Sequence, residues 1–350
     1  MNAKLKPLAD QVIVITGASS GIGLATAREA ARRGAAVVLT ARNGPALERI
    51  RQDLIAAGGR AETCVVDLAD PNSAERIAST AVVRFGGFDT WVNCASVSDY
   101  GSLEQIGIAE HRRLFDVNYF GVLQCSLAAL AHLRQRGGGA IVNVGSILSD
   151  RAIIAQGPYS ASKHAVLALT DTLRMEIERE DLPISVTLIK PAGIHTPFPE
   201  HARNHMDAPP RVPQMIYAPE LVANAILFAA EHPRRQLYVG GSGFLGVKLA
   251  NLFPRLTDRI MEAAAVRAQQ SPSDPGDPAA RDNLYEPAKD GEVHGSQDVA
   301  VRGTSLFLEA QKRPLATSAL LAAGAIGLAA ALGGSALRSD RRAANSRHRA

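Results

Sequence analysis

The stretch that decides the fold reads Thr16-Gly17-Ala18-Ser19-Ser20-Gly21-Ile22-Gly23, between an apolar run at residues 12–15 and a segment of helical period at 24–33. Glycines at these spacings let the chain turn tightly from a strand into a helix. They also let an anionic group approach the free N–H groups of the helix N-terminus. A glycine-rich turn without a ligand is the alternative, but the strand–turn–helix context favours a dinucleotide. The predicted cofactor contacts are Gly17, Ser19, Ser20, Gly21, Ile22 and Gly23.

The same alternation of strand and helix patterns continues on both sides of this turn, over residues 11–240. Short apolar, β-branched runs lie at residues 12–15, 36–40, 63–66, 90–92, 140–144, 184–189 and 236–239. Segments of helical period lie between them, at residues 24–33, 45–57, 73–85, 110–133, 159–180 and 220–231. Strands that are apolar on both faces and alternate with helices indicate a parallel sheet covered on both sides. The sequence therefore predicts an α/β fold, a doubly wound sheet of seven parallel strands.

The end of the second predicted strand bears on the choice of cofactor. It reads Val38-Leu39-Thr40-Ala41-Arg42, and residues 40–43 contain no acidic residue. A carboxylate at this place binds the ribose 2′-hydroxyl of NAD, whereas an arginine pairs with the 2′-phosphate of NADP. Arg42 therefore favours NADP(H) over NAD(H), with a solvated surface arginine as the alternative.

A tyrosine and a lysine lie one helical turn apart in Tyr159-Ser-Ala-Ser-Lys163. An ammonium close to a phenol favours the phenolate and lowers the pKa of the tyrosine, which suits Tyr159 for general acid–base catalysis. Ser146 follows the fifth predicted strand, at the sheet edge where open α/β sheets bind ligands. A surface Tyr–Lys pair without chemistry is the alternative.

Over residues 8–240 the sequence resembles a short-chain dehydrogenase/reductase. The residues that carry the resemblance occur in the family's order: the turn at 16–23, Asp67, Asn118 in Asp116-Val-Asn-Tyr119, Ser146, Tyr159 and Lys163. The resemblance implies a Rossmann fold and an enzyme that interconverts a carbonyl and an alcohol with a nicotinamide cofactor.

The resemblance also implies roles for individual residues. Tyr159 would be the proton donor or acceptor, Ser146 would hydrogen-bond the substrate oxygen, and Lys163 would bind the nicotinamide ribose and depress the pKa of Tyr159. Asn118 would hold a water near Lys163, and Asp67, with Leu68 beside it, would face the adenine. A helix residue that bonds the backbone is the alternative for Asn118, and a helix N-cap is the alternative for Asp67.

Two stretches depart from the family pattern. Asn93-Cys94-Ala95-Ser96 has a serine where the family has glycine, and Pro191-Ala192-Gly193-Ile194-His195-Thr196 has alanine for glycine. Asn93, Ala95, Ile194 and Thr196 still align with cofactor-contacting positions of the family. His164 and His195 lie close to the motifs, but the family mechanism needs no histidine, so we interpret both as bystanders.

The sequence divides into five predicted segments. A catalytic domain at 1–243 is followed by a helix at 244–269 that is interrupted at Pro254, a linker or extended surface segment at 270–313, a hydrophobic helix at 314–337 and a basic tail at 338–350. The third segment is rich in proline, glycine and charged residues and has little capacity to bury apolar surface.

Residues 314–337 contain no charged residue. As a helix they would be about 36 Å long, enough for a hydrocarbon core of about 30 Å. Small residues recur every four positions from Ala319 to Ser335, which permits close packing of helices in a membrane. We therefore predict a transmembrane or interfacial helix, with an Ala-rich helix docked on the protein as the alternative.

The charge distribution excludes a basic nucleic-acid-binding body. The net charge of +4 equals that of residues 338–350, where five arginines face only Asp340, so the rest of the chain is neutral. Cys64, Cys94 and Cys125 form no C-x-x-C pair, which predicts neither a zinc site nor a disulfide framework, and residues 1–10 lack the apolar region of a signal peptide.

We expect a cytoplasmic catalytic domain without a metal that acts on a small molecule, for which a lipophilic compound is one candidate. The family resemblance also implies homo-oligomers formed through the helices at 110–133 and 159–180. A membrane-tethered cofactor-binding scaffold without turnover is the alternative function.

Overall fold

The computed structural model describes residues 3–213, 215–271, 282–315, 317–319 and 322. The chain forms two compact units, Met1–Ser305 and Leu306–Ala350. The second unit contributes one described helix, Leu306–Lys312. Most of the predicted hydrophobic helix at 314–337 and all of the basic tail at 338–350 lie outside the described residues.

A seven-stranded parallel sheet organises the first unit. Its strands, in chain order, are β1 (Val12–Thr16), β2 (Ala36–Ala41), β3 (Arg60–Val65), β4 (Thr90–Asn93), β5 (Gly139–Val144), β6 (Ile184–Pro191) and β7 (Gln236–Val239). Their order across the sheet is β7-β6-β5-β4-β1-β2-β3. The predicted fold class and its strands are confirmed. The order reverses between β1 and β4, and this switch point opens a crevice at the carboxyl edge of the sheet.

Helices cover both faces of the sheet. They are α1 (Gly21–Arg32), α2 (Gly44–Ala56), α3 (Ser73–Phe85), α4 (Ile108–Phe115), α5 (Gly121–Arg136), α6 (Gly157–Arg179) and α7 (Pro219–Glu231). Local chemistry sets several ends: the Asn43 side chain accepts from the Ala46 N–H at the start of α2, and Gly86 ends α3 in the left-handed region at φ +75°. A π-helical turn, Asp116–Phe120, joins α4 to α5 and could not be foreseen from the apolar periodicity.

The core consists of the strands and the inner faces of these helices. Every residue of β1, β5 and β6 is buried, as expected for a sheet covered on both sides. Trp91 on β4 is fully buried and packs edge-to-face on Phe88 with ring centroids 5.2 Å apart. This rigid scaffold fixes the positions of the loops at the carboxyl ends of the strands.

The chain from the end of β7 to Ser305 belongs to the first compact unit. Helices α8 (Gly241–Leu252) and α9 (Pro254–Ala268) are separated at Phe253, so the predicted interruption at Pro254 is present, although α8 begins earlier than predicted, inside the glycine cluster. The predicted linker at 270–313 contains a helix, Leu306–Lys312, which the sequence pattern did not indicate. Its described part before this helix, residues 282–305, is an irregular segment in which Leu284 is fully buried. It pairs with the body of the unit through Val301–Arg302, which runs parallel to Ile216–Tyr217.

One helical stretch of the described residues, Ile108–Arg136, has the length and hydropathy of a membrane-crossing helix. Of its most apolar window, 44% is buried inside the protein, as in a core helix of a folded domain. This stretch therefore gives only weak evidence for a membrane span, and it is not the segment at 314–337.

Candidate active site

A cleft of about 480 Å³ opens at the carboxyl edge of the sheet, over the switch point between β1 and β4. Its volume lies in the range of small-molecule sites. It reaches from Arg42 and Asp67 at one end to Ser146, Tyr159 and Phe198 at the other. Almost every residue predicted from the sequence to bind a cofactor lines this single cleft.

The glycine-rich turn forms one wall of the cleft, and its geometry requires glycine. A Cβ on Gly23 would lie 2.0 Å from the Gly17 carbonyl oxygen, and a Cβ on Gly17, at φ +69°, would lie 2.7 Å from the Ala95 Cα. The Thr16 hydroxyl accepts from the N–H groups of Cys94 and Ala95 at 3.0 and 3.1 Å and so ties the turn to the end of β4. The first residues of α1, Gly21, Ile22 and Gly23, line the cleft, and a helix N-terminus at this place fits the pyrophosphate of a dinucleotide.

Two charged residues mark the opposite end, where β2 and β3 finish. Arg42 lies 3.9 Å from the Asp67 carboxylate, and the same carboxylate oxygen accepts from Arg113 at 2.5 Å. Burial opposes ionisation of Asp67, but the hydrogen bonds from Arg113 and from the Ala69 N–H outweigh it and lower its pKa. Asp67 is not a helix N-cap, which was the alternative for this residue. Its carboxylate accepts from the Ala69 N–H within the turn that precedes α3.

Ser146, Tyr159 and Lys163 meet in the middle of the cleft. Ser146 follows β5 and caps a short 3₁₀ turn by accepting from the Leu148 N–H at 3.0 Å. Tyr159 and Lys163 lie on α6, with the Lys163 ammonium 5.5 Å from the centre of the tyrosine ring. The ammonium also donates to the Val144 carbonyl at 3.0 Å, which anchors it at the end of β5. The structure thus brings the predicted triad together.

The protonation of this triad differs from the sequence-based prediction. Burial raises the pKa of Tyr159 well above its usual value, and the opposing hydrogen bond with Ser146 does not offset it. Burial also lowers the pKa of Lys163 to about 8. The expected lowering of the Tyr159 pKa by Lys163 is therefore not found, because desolvation of the phenol dominates. The phenol holds its proton throughout the neutral pH range.

Asn118 lies in the π-helical turn and is fully buried. Its amide donates to the Val97 carbonyl at 2.9 Å and to the Ser162 hydroxyl at 3.1 Å. Its oxygen accepts from the Val97 N–H and the Ser96 hydroxyl. These four bonds use the full hydrogen-bonding capacity of the side chain, which fixes α6 and the end of β4 to the π-helical turn. The role of Asn118 in holding a water near Lys163 stays a prediction.

Asn93 is the one predicted cofactor residue that does not reach the cleft. Its side chain is buried, donates to Asn143 and Ser126 at 2.8 and 3.0 Å, and accepts from the Trp91 indole at 2.9 Å. It belongs to a polar network inside the sheet. The other predicted residues line the cleft: Gly17, Ser19, Ser20, Gly21, Ile22, Gly23, Arg42, Asp67, Leu68, Ala95, Tyr159, Lys163, Ile194 and Thr196.

The cleft around the triad is mostly apolar. Ile147 and Leu148 follow Ser146, and the Phe198 ring lies 5.5 Å from the Tyr159 ring. Val212 and Met215, from the loop after β6, also line the cleft. The sequence of this loop contains no motif that indicates a substrate, because its apolar residues are scattered among prolines and histidines.

Residues 282–297, which we call the clasp, cross the outside of the cleft and were missed as part of the site. Arg42 donates to the Tyr285 carbonyl at 2.8 Å and to the carbonyls of Leu284 and Asn283. Gly291 donates to the Ser19 carbonyl, and Gly21 donates to the Glu292 carbonyl, both at 2.9 Å. These contacts use backbone carbonyls, which leave no signal in the side-chain pattern.

The two histidines near the motifs are engaged away from the triad. His164 contacts the Ser160 carbonyl within α6 at 2.8 Å, and His195 contacts the Gln297 carbonyl of the clasp at 2.8 Å. The three cysteines are unpaired, and burial raises the pKa of Cys94, which lines the cleft, to about 12. Within the described ranges no three His, Cys, Asp or Glu side chains gather in a way that could hold a metal ion.

Known proteins resemble this chain in both sequence and structure. The family model for the short chain dehydrogenase matches residues 11–207. The uncharacterized oxidoreductase YxnA of Bacillus subtilis (strain 168) is 44% identical over 330 residues, which is 94% of this chain and 92% of that protein.

Two solved structures carry the same fold with different nucleotides. L-sorbose reductase from Gluconobacter frateurii, solved with NADPH and L-sorbose, is 25% identical with a TM-score of 0.59 and covers 69% of this chain and 98% of that chain. A short chain dehydrogenase/reductase from Burkholderia phymatum, solved with NAD, is 25% identical with a TM-score of 0.66 and covers 78% of this chain and 100% of that chain. Relatives of the fold thus use a nicotinamide cofactor of either kind.

Proposed function

Because the chain belongs to the short-chain dehydrogenase/reductase family, we propose that it is an NADP(H)-dependent oxidoreductase that reduces a carbonyl group to an alcohol, with Tyr159 as the proton donor. The single observation that carries the proposal is the meeting of Ser146, Tyr159 and Lys163 at the cleft beside the glycine-rich turn. A cleft that only binds a nucleotide needs no buried tyrosine of this kind.

The chemistry follows from the protonation of these residues. When bound, the reduced nicotinamide supplies a hydride to the carbonyl carbon. The Ser146 hydroxyl hydrogen-bonds the carbonyl oxygen and orients it, and Tyr159 gives its proton to that oxygen to complete the alcohol. The Lys163 ammonium stabilises the phenolate that remains. Because the pKa of Tyr159 is raised by burial, the phenol carries a proton near neutral pH and can act as the general acid of this step.

The preference for NADP(H) over NAD(H) rests on Arg42. Residues 40–43 contain no carboxylate, so a ribose 2′-hydroxyl finds no acceptor on the loop after β2. The Arg42 guanidinium lines the cleft and contacts three clasp carbonyls. A guanidinium has five N–H donors and the clasp carbonyls use three of them, so a 2′-phosphate can bind beside these bonds.

The surroundings of the cleft support a lipophilic substrate and a membrane-associated location. Ser242 and Gly243 of α8 line the cleft. An exposed apolar ridge continues from there along α8 and α9, formed by Leu245, Leu249, Leu252, Phe253, Leu256 and Ile260. A ridge of this kind suits contact with a membrane or with a second protein surface. This ridge and the uncharged segment at residues 314–337 support the proposal that the enzyme is cytoplasmic and is held at a membrane. The proposal also includes homo-oligomers that form through α4, α5 and α6.

The proposed chemistry is tested with Tyr159→Phe, which removes only the proton donor. Loss of a general acid lowers turnover by about 10²–10⁴-fold. We expect that loss in NADPH oxidation with a panel of ketones and aldehydes, with NADPH affinity changed by no more than about threefold. Tyr119→Phe is the matched control, because Tyr119 lies on the π-helical turn and does not line the cleft. Turnover by Tyr159→Phe at the rate of the unmodified protein would overturn the mechanism.

The cofactor preference is tested with Arg42→Ala. We expect the NADPH dissociation constant to rise by about ten- to a hundredfold and that of NADH by less than about threefold, because only NADPH has a phosphate at this place. An equal loss for both nucleotides would contradict the phosphate-binding role of Arg42.

A further inference from the structure

The clasp lies outside the part of the chain that the family model matches, which ends at residue 207. The match to YxnA spans 94% of the chain, so it includes the clasp, which lies more than fifty residues from the C-terminus. The clasp therefore lies outside the part matched by the family model and inside the span of the match to YxnA.

At the end of the cleft where β2 and β3 finish, arginine side chains donate hydrogen bonds to backbone oxygens of the clasp. Besides the three bonds from Arg42, Arg113 donates to the Leu284 carbonyl at 2.8 Å. Arg203 donates to the Asp282 carboxylate at 3.0 Å, and the Asn283 N–H donates to the His201 carbonyl at 2.8 Å. Bonds from charged donors are stronger than those between neutral groups.

In its middle the clasp pairs with the glycine-rich turn. The reciprocal bonds between Gly291 and Ser19 and between Gly21 and Glu292 place the clasp backbone against the start of α1. Farther along, Gly295 packs so tightly on the Thr196 carbonyl that a Cβ there would lie 2.6 Å from it. The Gln297 side chain makes two bonds with the Val212 backbone, at 3.0 and 3.1 Å. The clasp thus crosses from the nucleotide end of the cleft to the loop beside the triad.

The side chain of Leu284 anchors the clasp to the wall of the cleft. Leu284 is fully buried and packs with Val97, Leu114 and Val117 in a small apolar cluster. Val97 and Val117 also line the cleft, so the anchor sits directly on the cleft wall. Removing a buried leucine side chain leaves a cavity and weakens the packing it held in place.

From these contacts we infer that the clasp is the outer wall of the cofactor site and the gate through which the nucleotide enters and leaves. The inference rests on the proposed function, because the ligand enclosed is a nicotinamide dinucleotide. Asn283, Pro287, Ala288 and Asp290 of the clasp line the cleft itself. A nucleotide in the cleft lies beneath the clasp, so both its binding and its release require the clasp bonds to open. A gate of this kind slows association and dissociation together.

The test compares Leu284→Ala with Leu133→Ala in the full chain. Leu133 is equally buried but lies in the main core on α5, so its substitution matches the loss of packing without touching the clasp. Rates are measured by stopped-flow fluorescence of NADPH and of NADH, and release is measured by displacement with excess NADP⁺. We expect Leu284→Ala to raise the association and dissociation rate constants of both nucleotides at least about tenfold, and Leu133→Ala to change them by less than about threefold.

Unchanged association and dissociation rate constants in Leu284→Ala overturn the inference. Faster dissociation with unchanged association also overturns it, because the clasp would then retain the nucleotide without controlling its entry. Hydrogen exchange of the unmodified protein gives a second readout that needs no variant. NADPH is expected to slow exchange in residues 283–297, and unaltered exchange there overturns the inference. If the unmodified protein binds neither nucleotide, the proposed function fails and the gate with it. Binding without these effects overturns the gate alone.

Discussion

Asp99 is a buried carboxylate whose removal is predicted to stabilise the protein at neutral pH. Its side chain is fully buried, and neither carboxyl oxygen has a hydrogen-bond partner among the described residues. Burial, with a smaller contribution from the neighbouring Glu110 carboxylate, raises the pKa of Asp99 to about 6 from a usual value of 3.8. Asp99→Asn keeps the shape of the side chain and removes its charge.

The magnitude follows from linkage between proton binding and folding. The folded state holds the Asp99 proton more tightly than the unfolded chain, so the stability of the unmodified protein falls as the pH rises from about 4 to about 6. A shift of roughly two pKa units corresponds to about 3 kcal/mol above that range. Below pH 4 both states are protonated and the cost vanishes. Asparagine does not titrate, so the variant is expected to gain about 3 kcal/mol at pH 7.5 and only about 1 kcal/mol at pH 4.5.

Urea unfolding followed by circular dichroism at these two pH values measures the free energies of unfolding. Asp53→Asn, on the exposed surface of α2, is the control and is expected to change the stability by less than about 0.5 kcal/mol at both pH values. A destabilised Asp99→Asn protein at pH 7.5, or a gain of the same size at both pH values, would refute the reasoning. The first outcome would mean that the carboxylate has a favourable partner in the folded state, and the second would mean that the gain does not depend on the ionisation of Asp99.

Three further predictions concern the cofactor cleft and the membrane. The rate of reduction at saturating NADPH is expected to be level from pH 6 to 7.5 and to decline as the pH passes 8. The decline is expected because Lys163 then loses the proton that stabilises the Tyr159 phenolate. A rate that rises as the pH passes 8 contradicts the assignment. Gly23→Ala is expected to abolish NADPH fluorescence enhancement, since its Cβ would meet the Gly17 carbonyl at 2.0 Å, whereas Gly246→Ala, with no atom within 4 Å of the new Cβ, retains it. Removal of residues 314–350 is expected to move the protein from the pelleted membranes to the supernatant after high-speed centrifugation, and a full chain that already stays in the supernatant would contradict the membrane prediction.

The sheet and its helices were predictable because each element has a strong local pattern. The buried strands are apolar on both faces, and the turn at 16–23 requires glycine for reasons that the sequence itself shows. Ser146, Tyr159 and Lys163 could be placed at one site because the carboxyl ends of parallel strands meet at one edge.

The rest depended on tertiary contacts that no local pattern encodes. Asn93 was assigned to the cofactor, but its side chain points into a network with Asn143 and Ser126 inside the sheet. The protonation of Tyr159 depends on burial, which outweighs the effect of Lys163 expected from spacing alone. The clasp looked like a linker because Leu284 is its single fully buried apolar side chain and most of its bonds come from backbone atoms.

The most direct measurement of the central claim is transfer of deuterium to a carbonyl substrate from NADPH that carries deuterium at both positions of nicotinamide C4. The purified protein is incubated with the labelled cofactor and a set of ketones, aldehydes and a lipid extract, and the products are analysed by mass spectrometry. The account predicts an alcohol with one deuterium on the carbinol carbon, formed by the unmodified protein and lost with Tyr159→Phe. Oxidation of the labelled cofactor without deuterium in any alcohol, or the same labelled product from Tyr159→Phe at an undiminished rate, would contradict it.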